Sequence, residues 1–246
     1  MLAELSGEDS IAVLTLNNPT KLNAVSSDLV EEIYSKTRDI EKKFNVLVLC
    51  GGKKAFSAGT NISEIQALSY EKAYLDGFID HRWESIFDVK IPVIAAVSGY
   101  ALGIGFELAL MCDIVVASKT ATFGFPEVNL GLMPGMGGTQ MLTGIVGSKI
   151  ASEIMMTGRF VSAAEAKDLG IVSYLTEEDQ HLEKAMELAR KIAEKSVMST
   201  RMIKEAVRLA QNIGLSSGMK VERQMFRSLF STSFKQKGVE AFLNKK

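Results

Sequence analysis

The stretch 93–111 constrains the fold of this chain more than any other. It is apolar apart from Ser98, Gly99, Tyr100, Gly103, Gly105 and a single carboxylate, Glu107. About 20 such residues suffice to cross a bilayer. A carboxylate at that depth costs about 2.5–3.5 kcal/mol on insertion scales, however, and the glycines interrupt a spanning helix. A buried strand, a glycine turn and a buried helix carrying Glu107 satisfy the same pattern without that cost.

Other beta-branched runs bounded by turn residues repeat the strand signal at Ile11–Leu16, Val46–Cys50, Val93–Val97 and 114–117. Helical periodicity lies between them. Residues 28–43 place Leu29, Ile33 and Ile40 on one face, with Asp28 and Glu31 as an N-terminal cap pair, and 70–89 reads as a second helix. Alternation of strand and helix predicts an α/β chain. With 246 residues, 47% apolar and 23% charged, it is one globular domain with a small appendage, which excludes disorder, collagen and a disulfide miniprotein. A chain of this size buries roughly 70–75% of its unfolded surface and needs no metal or disulfide staple.

Beyond about residue 145 amphipathic helices dominate, interrupted by an apolar run at 171–175. Helices are expected over 182–193, 199–212 and 217–229, and Thr176 with Asp179 and Ser162 with Glu165 resemble capping boxes at two helix starts. Met219, Met225, Phe226, Leu229 and Phe230 make the last segment unusually apolar. It either folds back on its own core or meets another subunit.

The 28 basic and 29 acidic residues give a net charge of −1, so no whole-surface field favours nucleic acid or anionic lipid. Cys50 and Cys112 lie in apolar runs without metal-ligand spacing and read as core thiols of a reducing compartment. The acidic N-terminal residues lack the pattern of a signal peptide, and a cytoplasmic location is expected. The two histidines, His81 and His181, form no zinc motif. Phe56-Ser57-Ala58-Gly59 has the shape of a nucleophile elbow but lacks its first glycine. Gly103-Ile104-Gly105 lacks the third glycine of a dinucleotide loop, and Glu107 stands where a pyrophosphate would approach.

Two carboxylates remain. Glu107 and Glu127 both sit among hydrophobes, and burial in a shared pocket pushes two carboxyl pKa values up and apart, giving an acid and a base near neutral pH. Taken alone, each is better read as a helix cap or the partner of a cation elsewhere. The turns around 56–59 and 103–105 supply small residues and backbone N–H groups. Two such donors aimed at one oxygen form an oxyanion hole.

In this combination the chain resembles the enoyl-CoA hydratase/isomerase, or crotonase, superfamily from about Leu14 to Lys245. The resemblance rests on Asn17-Asn18-Pro19 with Leu22-Asn23-Ala24, Lys54-Ala55-Phe56-Ser57-Ala58-Gly59, Ala96-Val97-Ser98-Gly99-Tyr100-Ala101-Leu102-Gly103, Met111-Cys112-Asp113-Ile114, Pro126-Glu127 and Pro134-Gly135-Met136-Gly137-Gly138-Thr139-Gln140. It implies a crotonase-like spiral of ββα turns over 1–195, with the CoA thioester site, and a C-terminal helical region over 196–246 that assembles trimers, usually paired into hexamers. It also implies an acyl-CoA thioester substrate, with no metal or redox cofactor. By position, the oxyanion N–H groups fall on Ala58 and Ile104 and the catalytic carboxylates on Glu107 and Glu127. Gly59, Thr60, Asn61, Lys21, Leu22 and Ala24 fall on substrate-binding positions. Lys21, Lys53 and Lys54 flank the matched loops, as CoA phosphates require, or are simply solvated.

The presence of both carboxylates implies a hydratase, adding water reversibly to a trans-2-enoyl-CoA to give a 3-hydroxyacyl-CoA. The alternatives are an enoyl-CoA isomerase or another enolate-stabilising member working through Glu127, and a catalytically weak CoA-binding subunit. The chain departs from the family pattern at Asn18, which replaces the usual Arg, and at Ile104, which replaces a common Gly and resists positive φ. Thr60-Asn61 stands for a small residue and Asp, and a short tail common in relatives is missing after Lys246.

Overall fold

The computed structural model describes residues 1–244. Lys245 and Lys246, the end of the expected C-terminal region and of the resemblance, lie outside the described residues. The strands are β1 (Ala3–Glu8), β2 (Ile11–Leu16), β3 (Val46–Cys50), β4 (Ala55–Ser57), β5 (Val93–Val97), β6 (Tyr100–Leu102), β7 (Ile114–Ser118), β8 (Thr122–Gly124), β9 (Phe160–Ser162) and β10 (Tyr174–Thr176). The helices are α1 (Ser27–Thr37), α2 (Ile62–Ile65), α3 (Tyr70–Leu75), α4 (Ser85–Asp88), α5 (Ile104–Met111), α6 (Gly138–Val146), α7 (Ser148–Thr157), α8 (Ala163–Asp168), α9 (His181–Ala193), α10 (Val197–Leu209), α11 (Leu215–Ser228) and α12 (Ser233–Leu243).

Two sheets run through the fold. The larger has the order β1-β2-β3-β5-β7-β10, parallel except for the β1–β2 hairpin, and the smaller has the order β4-β6-β8-β9. The consecutive pairs β3/β4, β5/β6 and β7/β8 each give one strand to each sheet, so the chain advances as stacked ββα turns. Side chains alternate across a strand, and the central strands β3 and β5 of the larger sheet are buried on both faces. Leu47, Leu49, Val93, Ala95 and Val97 join the core formed with α1 and α5, while Val46, Val48, Ile94, Ala96 and Val116 meet Ala185, Leu188 and Ala189 of α9. Each such Leu or Val contributes roughly 1.5–3 kcal/mol on full burial.

Several local expectations are corrected. Helix α1 is capped by Ser26, whose hydroxyl accepts from the Leu29 N–H, not by Asp28 with Glu31, and it ends at Thr37. The helix expected over 70–89 breaks into α3 and α4, because Gly77 and Ile79 adopt φ of +64° and +60°. Ile171 and Val172 pack into the core after α8, so β10 begins only at Tyr174. Thr176 ends β10 and its hydroxyl donates to the Ala117 and Glu177 carbonyls, so it caps nothing; α9 begins at His181 without a side-chain cap. Ser162 does cap α8, accepting from the Glu165 N–H. The segment expected to be last, 217–229, is α11, and α12 follows it.

Cys50 and Cys112 are buried and unpaired. Among the described residues no helix is long and apolar enough to cross a membrane. Helices α11 and α12 bury no residue, and Phe226, Phe230, Phe234 and Phe242 are exposed, so the apolar C-terminal segment does not fold back on its own core. Helix α10 is tied down instead: the buried Lys204 ammonium donates to the Ile91 carbonyl and pairs with Asp113 at 2.7 Å, and Asp113 also accepts from the Val93 N–H. Burial pulls the Lys204 pKa down and Asp113 opposes that.

Candidate active site

Helix α5 brings the first carboxylate inside. Gly103, at φ +52°, turns the chain from β6 into the helix, and the Gly103 carbonyl accepts from the Glu107 N–H. The Glu107 side chain is fully buried. Its Oε1 accepts from the backbone N–H groups of Met136 and Gly138, both at 2.8 Å, while Oε2 has no partner among the described residues. Gly138 must be glycine here, since a Cβ would stand 2.9 Å from Glu107 Oε1 and 2.7 Å from the Phe125 ring. Burial pushes the Glu107 carboxyl up and the two N–H donors pull it back. Those donors fix one oxygen and leave the other able to handle a proton.

The second carboxylate comes from the short 3₁₀ turn Pro126–Leu130 after β8. Glu127 also has a buried Oε2 without a partner. Burial first, then the repulsion of Glu107, raises its pKa from 4.5 to about 7, although hydrogen bonding to its own backbone opposes this. Glu127 lies against the start of α5, where a Cβ on Gly103 would come within 2.7 Å of its Oε1. The structure thus brings together the two glutamates singled out in the sequence.

Among the described residues neither glutamate forms a salt bridge, but Glu107 Oε1 does take the first N–H of α6, so the cap reading holds in part for Glu107 while its Oε2 stays free.

The two expected oxyanion donors fare differently. Ile104 is the first residue of α5, so its N–H has no helical acceptor and carries the partial positive charge of the helix start. Gly103 takes the positive φ, and Ile104 is spared the conformation that a beta-branched residue resists. Ala58 follows β4 and is not at a helix start, and its N–H donates to the Leu22 carbonyl at 2.9 Å. Contrary to the reading of 56–59 as a turn, Phe56 and Ser57 belong to β4.

Asn23, whose importance the sequence did not reveal, explains why Leu22 reaches Ala58. Its buried side chain donates to the Ala55 and Phe56 carbonyls at 3.1 Å and accepts from the Asn18 N–H at 2.7 Å. Leu22 and Asn23 both take positive φ, a conformation Asn tolerates better than most residues. Ser57 donates to the Asn23 carbonyl at 2.8 Å, which makes its buried hydroxyl structural and ends any reading of it as a nucleophile.

A cleft of about 220 Å³ opens between these elements, lined by Ala58, Gly59, Thr60, Ile104 and Glu127 and by apolar side chains. Asn61 does not line it and donates to Glu64 instead. Lys21, Leu22 and Ala24 lie outside its lining, in the segment running beside 58–61, where the Val25 N–H donates to the Gly59 carbonyl. Lys53 is engaged by Asp179 at 2.7 Å, and Lys54 is exposed. Among the described residues no group of three or more His, Cys, Asp or Glu side chains could hold a metal ion.

Comparisons with known proteins bear on the family and the fold. The family described as enoyl-CoA hydratase/isomerase matches residues 6–246. The chain is 43% identical over 248 residues to a probable enoyl-CoA hydratase of Rhizobium meliloti (strain 1021), covering 100% of this chain and 95% of that one. It is 40% identical to a mitochondrial enoyl-CoA hydratase of Pongo abelii, covering 100% and 86%. A crystal structure of an enoyl-CoA hydratase subunit I from Geobacillus kaustophilus HTA426 superimposes with a TM-score of 0.96 at 42% identity, covering 100% and 96%.

Proposed function

The chain belongs to the enoyl-CoA hydratase/isomerase family, and from that membership we propose that it is an enoyl-CoA hydratase, adding water reversibly across the double bond of a trans-2-enoyl-CoA to give a 3-hydroxyacyl-CoA. The observation that carries the reading is the pair of buried glutamates, Glu107 and Glu127, each with one unpartnered oxygen, beside the free N–H of Ile104. An acid and a base on opposite sides of one water are what addition to an activated alkene requires.

Glu107, its Oε1 locked by two backbone donors, orients the water through Oε2 and takes one proton as the water oxygen bonds to C3. The electron pair of the double bond moves toward the thioester, whose oxygen gains negative charge and is met by the Ile104 N–H. Glu127, raised to about 7, keeps a substantial protonated fraction at neutral pH, and that form delivers a proton to C2. One water is thereby divided between C2 and C3, and proton return between the two carboxyls closes the cycle. The Ala58 N–H joins Ile104 at the thioester oxygen when the substrate displaces the Leu22 carbonyl from it. The scheme calls on no metal or redox cofactor.

The exposed phenylalanines of α11 and α12 support assembly as a homotrimer or hexamer. Two buried, unpaired thiols support a reducing compartment such as the cytoplasm. The test is loss of enoyl-thioester absorbance on short and long trans-2-enoyl-CoAs in the wild type, Glu107→Gln and Glu127→Gln. Both variants are expected to lose 10²–10⁴-fold in kcat, roughly the contribution of a positioned acid or base. An isomerase working through Glu127 keeps much of its turnover in Glu107→Gln, and a scaffold has none to lose.

A further inference from the structure

The chain between α3 and α4 forms one wall of the active-site cleft, and it is held in an unusual way. Ile79 adopts φ +60°, a left-handed conformation in which a beta-branched residue is a true outlier. Such a conformation persists where the surroundings over-determine it, and here they do. On one side, the Phe78 N–H donates to the Ala73 carbonyl and the Phe78 ring meets Trp83 edge-on at 5.3 Å. On the other, the Asp80 carboxylate accepts from both the backbone N–H and Nε of Arg82, and its carbonyl accepts from the Trp83 N–H. The Ile79 side chain projects across the cleft until its Cδ1 stands 3.2 Å from where a Cβ on Gly135 would be. Gly135 immediately precedes Met136, whose N–H holds Glu107.

The wall therefore closes the cleft beside Glu127; with a thioester oxygen at the Ile104 N–H and the reacting carbons at Glu127, the remainder of an acyl chain runs toward it. The volume, about 220 Å³, is below the roughly 300–1,000 Å³ of sites that enclose drug-sized ligands. The rest of this end is apolar, with Phe78, Leu130, Leu132 and Met133, and Glu127 is the one charged side chain among the lining residues. The cation nearest along the chain, Arg82, is spent on Asp80 and Glu31. A carboxylate at the far end of an acyl chain would meet no cation here and would face Glu127 instead, and an unpaired buried charge is strongly disfavoured.

We propose that Ile79 is the residue that limits acyl-chain length in this enzyme, and that the site selects short, uncharged trans-2-enoyl groups over long or carboxylate-terminated ones. The proposal rests on the hydratase reading above.

It is tested with the CoA esters of trans-2-butenoate, trans-2-hexenoate, trans-2-decenoate and trans-2-hexenedioate, on wild type, Ile79→Gly and Ile79→Ala. Glycine accepts φ +60° without strain and removes the wall; alanine removes the wall alone. In the wild type, kcat/KM is expected to be at least about tenfold higher for the four-carbon than the ten-carbon substrate, within the range a few misfitting methylenes produce. In Ile79→Gly the ten-carbon to four-carbon ratio rises by about tenfold or more, and Ile79→Ala moves the same way. The hexenedioyl ester lags the hexenoyl ester by about tenfold or more in every form. A flat length profile in the wild type, a ratio unmoved by either variant, or equal turnover of the two six-carbon esters overturns the proposal. Absence of turnover on every ester overturns the hydratase reading instead. The role of Ile79 is then read from calorimetric affinities of butyryl-CoA and decanoyl-CoA, where a ratio unchanged between wild type and Ile79→Gly overturns it.

Discussion

The two sides of the cleft are built to different degrees of readiness. On the α5 side, Glu107 is pinned by the Met136 and Gly138 N–H groups, and the Ile104 N–H points out of a helix start with no acceptor of its own. On the opposite side, the Ala58 N–H is already given to the Leu22 carbonyl, in a segment held at positive φ by the buried Asn23. Preorganised donors contribute most to catalysis because they need no rearrangement as charge develops. On the proposed mechanism the difference gives the α5 side the larger share of transition-state stabilisation, since the Ala58 N–H must first leave the Leu22 carbonyl before it can serve a substrate. Both sides hang on the same parallel strands, so it comes from local backbone conformation and not from the sheet.

The sharpest way to break this comparison is Ile104→Pro. Proline is tolerated at the first position of a helix, so α5 survives while its leading N–H is removed. Loss of one oxyanion donor is expected to lower kcat by about 10²–10³, with KM little changed, measured by steady-state hydration of crotonyl-CoA. A loss of less than about tenfold would shift the weight to the Ala58 side. The next effect is smaller. Asn23→Ala leaves the Asn18 N–H and the Ala55 and Phe56 carbonyls without this partner and is expected to cost about 1–3 kcal/mol in urea unfolding. The freed Leu22 segment is also expected to raise KM more than it lowers kcat, because it acts on the adjustable side. An equal fall in kcat and kcat/KM would show instead that this side too is set for the transition state.

Much of the rigid side was legible from residues alone. The strands β3 and β5 announce themselves by unbroken apolar runs, and β2 by one broken only at Thr15, because parallel strands buried on both faces tolerate little else. Glu107 and Glu127 stand out as carboxylates where the pattern calls for hydrophobes, and burial with an unpartnered oxygen is the structural counterpart of that anomaly. The adjustable side was less visible. Nothing in Leu22-Asn23-Ala24 indicates that two consecutive residues take left-handed φ, since that depends on hydrogen bonds to Ala55 and Phe56 across more than thirty positions. The break at Gly77–Ile79 inside an apparently helical stretch has the same kind of origin: Phe78 finds Trp83 and Asp80 finds Arg82, and these contacts override helical periodicity. The Ser26 cap lies just before the acidic pair that suggests a start at Asp28, and the helix stops at Thr37 short of 43, so both ends differ while the buried face of Leu29 and Ile33 stands.

The smallest expected effect separates the two carboxylates of the site. Glu127 has a folded pKa near 7 against an ordinary 4.5, so the folded state holds its proton more tightly than the unfolded chain does. Its contribution to stability is therefore complete below about pH 4.5 and is lost as pH rises through 7, because the folded protein must then carry a buried, unpaired charge beside Glu107. Glutamine carries no such charge. Glu127→Gln should thus be more stable than wild type at pH 8 by about 1 kcal/mol, after allowance for the partial exposure of the side chain, while at pH 5 the advantage largely disappears. Thermal unfolding of both proteins at the two pH values measures it. Glu107→Gln offers the contrast, because the Met136 and Gly138 N–H groups already stabilise the charged form of Glu107 and a neutral amide oxygen accepts from them less strongly. Its gain at pH 8 should be the smaller of the two. If Glu107→Gln gained as much as Glu127→Gln, those two hydrogen bonds would not be what sets the carboxylates apart, and the rigid side of the cleft would owe its readiness to burial alone.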